Sequence, residues 1–252
     1  MKTRLAVLIV LSTLAGCNFF DRVRNRNRPA PAAATFSQYH LDGWEWDRVG
    51  RVVVLPFRNE SNVTQAGVQA RDAFVAELQR AGRFEVIPMP QDDRAFLAAE
   101  VRCSGRFDEA LVLDIARDTN ADVVVYGVVS NYSPYPRPRL GLVLQAVSPQ
   151  QAKVAASVDG LWDSTDLAIA DRCYTYYRQG IRQRGPFIRN HSILSDDSYA
   201  ADQALESPAL FRRFVNREAV LALLGLPVPG IVVGADSYSG QVVGCAPNCK
   251  VK

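Results

Sequence analysis

Histidine is scarce. His40 and His191 are the only two in 252 residues, too few beside the cysteines for the clustered ligands of a metal centre. A glycine-rich phosphate loop with its lysine, a dinucleotide fingerprint and a Gly-x-Ser-x-Gly elbow are all missing. Asp92-Asp93 and Asp196-Asp197 are the adjacent acid pairs. Neighbours in sequence diverge on a helix or strand, so neither pair suits joint acid–base work. The expectation is no catalytic residue, no metal and no cofactor. An excess of one charge is also absent: 29 basic against 26 acidic residues excludes the basic face of a nucleic-acid binder. Beyond the first dozen residues no apolar run approaches the roughly 20 needed to span a bilayer.

What is present begins at the N-terminus. Lys2 and Arg4 precede the apolar run Leu5–Leu11, and Leu14-Ala15-Gly16-Cys17 follows. A short apolar run behind a positive start reads as a cleavable export signal. Small residues at 15 and 16 suit a peptidase cleft, and a thiol at 17 can be acylated. The four residues match the lipobox of bacterial lipoproteins, and the match implies cleavage after Gly16 with diacylglycerol on Cys17. Asn18 in place of Asp favours the outer membrane under the sorting rule of enteric bacteria, facing the periplasm. Membrane association is therefore expected through Cys17, since each buried methylene of its acyl chains contributes about 0.8 kcal/mol.

With Cys17 lipidated, Cys103, Cys173, Cys245 and Cys249 remain, an even number in an exported chain. Cys245-Ala-Pro-Asn-Cys249 can close a small loop. Cys103 and Cys173 are then left either to pair or to stay as buried free thiols.

Residues 1–16 read as signal peptide and 17–47 as a lipidated Arg/Pro-rich tether, in which Arg22, Arg24, Arg26 and Arg28 precede Pro29-Ala-Pro31. Such a segment extends at about 3.1 Å per residue. Its arginines either meet anionic headgroups or cell-wall polymer or simply remain solvated. His40 falls in this segment and His191 in a polar loop, so both read as exposed. An α/β domain follows over 48–163. The run Arg51–Phe57 predicts a strand buried on both faces. Arg58–Asn62 is a polar loop, Thr64 a cap, and 65–81 an amphipathic helix stopped by Gly82. Residues 83–88 form a second strand, which makes a crossover unit. Helices are expected within 91–100 and from Asp108 to Asn120, and a strand at 121–129. An antiparallel hairpin at 140–147 and 152–162 closes the domain. The fold class is α/β, a mixed sheet of about five strands with helices packed on it, plus C-terminal helical additions. Those additions occupy 164–229. One helix is capped by Asp163-Ser164-Thr165, and another is opened by Ser207-Pro208 with Arg212, Arg213, Arg217 and Glu218 on its solvent side. Residues 230–252 form a tail.

Val52-Val-Val-Leu-Pro-Phe57 with Asn59 and Ser61, Phe84-Glu-Val-Ile-Pro88, and Ala121-Asp-Val-Val-Val-Tyr-Gly127 resemble an envelope superfamily. It includes the amino-terminal domain of the Tol-system propeller protein, the curli-secretion lipoprotein and the lipoprotein activator of a peptidoglycan synthase. The likeness covers about residues 50–163 and implies a domain that works by docking. No pair of strands reaches the length of the pore-forming hairpins of the curli-secretion protein.

Two places could carry function. Asn59, Ser61 and Asn62 leave the first strand where open α/β sheets bind ligands, or they merely cap the next helix. Tyr132, Tyr135, Arg137 and Arg139 stand among prolines, either as a docking surface of rigid aromatic and arginine side chains or as a stiff connector. The arginine–tyrosine helix at 167–184 has the same two readings. The leading function is a non-enzymatic, lipid-anchored envelope protein that docks another envelope protein, with self-association left open. Activation of a peptidoglycan synthase is the finer alternative. A periplasmic enzyme with a dispersed carboxylate site is the alternative of another class.

Overall fold

The computed structural model describes residues 36–90, 109–183 and 203–231. Strands are β1 Phe36–His40, β2 Arg51–Val54, β3 Arg58–Asn59, β4 Glu85–Pro88, β5 Val123–Ser133, β6 Arg139–Ser148 and β7 Lys153–Asp163. Helices are α1 Ala66–Arg80, α2 Glu109–Thr119, α3 Leu167–Gln183 and α4 Pro208–Leu223. The strand order is β1-β7-β6-β5-β2-β4, with β3 paired to β5. Parallel pairing joins β2 to β4 and β5, and antiparallel pairing joins β5, β6, β7 and β1. The α/β class with a mixed sheet and C-terminal helices is as expected.

The valine runs are continuous because both faces of the central strands are covered. Val52, Val54, Val123 and Val125 enter the larger core with residues of α1, α3 and α4. Val53, Leu55 and Val124 enter a second core with Val112, Ile115 and Ala116 of α2. On β6 and β7 every second residue (Leu140, Leu142, Leu144; Val158, Trp162) is buried in the larger core.

Several boundaries differ from expectation. The body begins by Phe36, inside the stretch assigned to the tether. Phe36 pairs with Gly160, and its ring stacks on Trp162 at 5.6 Å. A Cβ on Gly160 would sit 2.5 Å from that of Phe36, so the bare glycine permits the edge strand to dock. A 3-10 turn at Trp46–Arg48 follows and buries Trp46. His40 is consequently half-buried, not exposed. Arg58 and Asn59, read as loop, form β3 beside Val128 and Val129.

The helix ends also shift. Gln65, not Thr64, occupies the cap position of α1, without a side-chain bond. Gly82 closes that helix at φ 65° as anticipated. The α3 cap is Asp166, whose Oδ1 accepts from Ala168 N at 2.7 Å and Ile169 N at 3.3 Å. Asp163 instead closes the preceding turn on Thr165. Ser207 caps α4 as expected, with Pro208 in the first turn. Glu218, assigned to the solvent side, is buried. The helix expected at 91–100, the Asp108 cap and most of the 230–252 tail lie outside the described residues.

Candidate functional site

Both candidate places lie at one end of the sheet, because Glu60 N donates to Val129 O and β3 runs beside the upper part of β5. The loop after β3 is held by its own side chains. Asn59 Nδ2 donates to Val63 O at 2.7 Å, and its Oδ1 accepts from Ser61 N at 3.0 Å and Ser61 Oγ at 2.7 Å. Asn59 and Ser61 are thus spent on shaping the entry to α1, and Asn62 points outward as an exposed residue. A loop whose polar groups bond one another offers little to a ligand.

The proline turn between β5 and β6 makes the more open surface. Tyr132 is half-buried and packs on the core. Its hydroxyl accepts from Arg212 Nη1 at 3.2 Å, and the same nitrogen donates to Gln69 Oε1 at 2.9 Å. Tyr132 therefore ties β5 to α1 and α4. Tyr135 is 71% exposed. Arg137 reaches Glu206 at 3.7 Å, and Arg139 Nε donates to Asp163 Oδ2 at 2.7 Å. Asp163 is raised by burial and lowered by its bonds from Thr165 and Arg139, and the bonds prevail, leaving the carboxyl below its ordinary range.

Two further residues lie near this end: Leu161, not singled out in the sequence, and Leu167, the first residue of the arginine–tyrosine helix. Among the described residues the exposed large hydrophobics are Tyr135, Leu161 and Leu167, the last at 86%. Leu161 lies opposite Gly141, two steps along the ladder from the Arg139–Asp163 pair. Leu167 opens α3 just past the turn that Ser164 N anchors to Pro138 O at 3.1 Å. Leu161 was legible only as the residue out of phase with Gly160 and Trp162. Leu167 follows Asp166, whose capping role places the next residue on the open first turn.

A second concavity, of about 350 Å³, opens between α3 and α4. On its wall Arg172 and Glu218 form a buried pair, with Nε to Oε1 at 2.8 Å and Nη2 to Oε2 at 3.2 Å. Trp162 Nε1 donates to Glu218 Oε2 at 2.8 Å. Arg172 is thus not the solvated arginine its helix suggested. Among the described residues the other buried carboxylate, Glu77, is bonded by Arg80 and by Arg213. Both carboxylates are matched by guanidinium groups and hold helices together, an arrangement unlike a poised acid or base. No group of three metal-ligating side chains exists among the described residues.

Cys173 is a free buried thiol, pushed up to about 12 by burial first and by the Glu218 charge second. Cys17, Cys103, Cys245, Cys249 and His191 lie outside the described residues. No helix among the described residues is long and apolar enough to cross a membrane.

No protein-family model matches the chain, and no curated protein matches it in sequence. Solved structures similar to it include the PelC dodecamer from Paraburkholderia phytofirmans, with 20% identity, a TM-score of 0.39, and coverage of 51% of this chain and 80% of that one. The LpoB C-terminal domain from Salmonella enterica aligns at 18% identity and a TM-score of 0.34, over 48% of this chain and 85% of that one. Lipoprotein GNA1162 from Neisseria meningitidis aligns at 16% identity and a TM-score of 0.35, over 54% of this chain and 98% of that one.

Proposed function

We propose that this chain is a non-enzymatic envelope lipoprotein, anchored through Cys17, whose body docks another envelope protein with the end of the sheet that carries the proline turn. The observation that carries the reading is that the exposed large hydrophobics among the described residues, Tyr135, Leu161 and Leu167, fall in the proline turn, at the end of β7 and at the start of α3, with Arg137 and Arg139 in and next to that turn. Apolar side chains left in water lose the stabilisation of burial, about 25 cal/mol per Å², and clusters of them beside charged residues mark contact surfaces. Aromatic and arginine side chains are the residue types that most often anchor such contacts. The ion pairs around the patch hold Arg139 and Arg137 in place before a partner arrives, which lowers the ordering cost of binding.

The order of anchor, proline-rich segment and α/β body also suits the finer reading, activation of a peptidoglycan synthase. The test is the double variant Tyr135→Glu/Leu167→Glu, compared with the unaltered chain by chemical crosslinking in intact cells. Loss of a discrete crosslinked complex, with thermal unfolding unchanged, is expected. A complex that persists undiminished would refute docking through this end.

A further inference from the structure

His40 closes β1, the edge strand that directly follows the N-terminal segment. Its backbone is paired with Ala156 of β7. Its ring lies against α4: a Cβ on Gly225 would be 3.5 Å from Cε1 and 3.7 Å from Nδ1. The backbone of Ala222, in the last turn of α4, favours the charged form of the ring. Ring nitrogen Nε2 is sealed from solvent and has no hydrogen-bond partner among the described residues. A neutral imidazole can leave a bare acceptor there at modest cost, whereas an imidazolium would bury an N–H and a charge with nothing to receive them.

Among the described residues the surroundings offer no compensating anion. On β7 the charged groups are Lys153, Asp159 and Asp163, and Asp159 and Lys153 are exposed while Asp163 is bonded to Arg139 at the far end of the strand. On α4 they are Arg212, Arg213, Arg217 and Glu218, and Glu218 is already held by Arg172 and Trp162. Asp42, two residues beyond the ring, is exposed. The C-terminal carbonyls of α4 supply the one favourable field for a cation. Burial outweighs it, so the imidazole sits below its ordinary range.

We infer that His40 is an acid-sensitive latch: its neutral ring holds β1 on α4 and β7, and protonation releases the strand into the N-terminal segment. Besides the ring, this five-residue edge strand is held by its ladder, by the Ser37 Oγ bond to Asp159 O at 3.3 Å and by the Phe36–Trp162 stack. Release would add roughly 17 Å of extended chain, at about 3.3 Å per residue, and would uncover the edge of β7. The sign follows from proton uptake. A buried ring with a lowered folded-state pKa makes its full contribution well above the unfolded value of about 6.5. That contribution falls away as pH drops below this value toward the ring's own pKa.

The chain has two histidines, so the test is clean. Amide hydrogen exchange of the full mature chain, corrected for the intrinsic pH dependence, is compared at pH 7.5 and 5.0. Residues 37–41 are expected to lose protection at least tenfold at pH 5.0 while β5 and β6 keep theirs. His40→Gln and His40→Phe should each remove that pH dependence, and whichever retains native protection in β5 serves as the folded control. An NMR titration assigns the imidazole resonance lost in the variant. A pKa at or above 6.5 for that ring, or β1 protection that falls equally in the wild type and the folded variant, would overturn the latch.

Discussion

Arg172 and Glu218 show how much a buried charge depends on its partner. Their side chains are 4% and 5% exposed, and Trp162 takes a third bond on the carboxylate. Desolvation costs several kcal/mol for each ion, and the pair recovers it only through close, multiple hydrogen bonds. Arg172→Met should therefore destabilise the chain by about 3–5 kcal/mol, since it leaves the glutamate buried and uncompensated. Adding Glu218→Leu should restore part of that loss. Urea unfolding of the two variants decides it, and a double variant less stable than the single one would contradict this account. Neither residue was legible in the sequence as a pair. They lie 46 positions apart, on two different helices. Only the packing of α3 against α4 brings Arg172 and Glu218 together.

At the level of elements, the legible parts are those with strong local signals. Arg51–Phe57 and Ala121–Val129 are valine-rich runs, and their burial on both faces removes the alternation that would otherwise mark strands. The helix ending at Gly82 and the one opened by Ser207-Pro208 carry their own stop and start. β1 was not legible. Phe-Ser-Gln-Tyr-His presents one fully buried apolar side chain at its start and follows a Pro/Ala-rich stretch, so its local composition reads as linker. Its structure comes from β7 instead, 120 residues later, through Gly160 and Trp162. Gly160→Ala tests that dependence. The new methyl would crowd Phe36 Cβ at 2.5 Å and the Trp162 ring at 2.9 Å, an overpacking that costs about 1–3 kcal/mol. Amide protection should fall in β1 and remain in β5. Unchanged protection of β1 would mean that the edge strand is held by other contacts. The candidate site was half legible for the same reason. Tyr135, Arg137 and Arg139 stand out among prolines, but Leu161 and Leu167 gain meaning only when the turn at Ser164 meets Pro138.

At the scale of the whole molecule, the proposal rests on lipidation of Cys17. Cys17→Ala should abolish incorporation of labelled fatty acid and shift the chain from the membrane pellet to the soluble fraction. Continued labelling would refute the anchor. Among the described residues the buried carboxylates are matched by guanidinium groups, and the exposed large apolar side chains fall in the proline turn, at the end of β7 and at the start of α3, a distribution that suits the proposed docking. The most direct measurement is a position-resolved crosslinking map in living cells. A photo-reactive residue is placed in turn at Tyr135, at Leu167 and at Arg48, which is exposed in the loop between β1 and β2. The account predicts a protein adduct of one defined mass from positions 135 and 167 and none from 48. Equal adducts from all three positions, or an adduct from 48 alone, would contradict it.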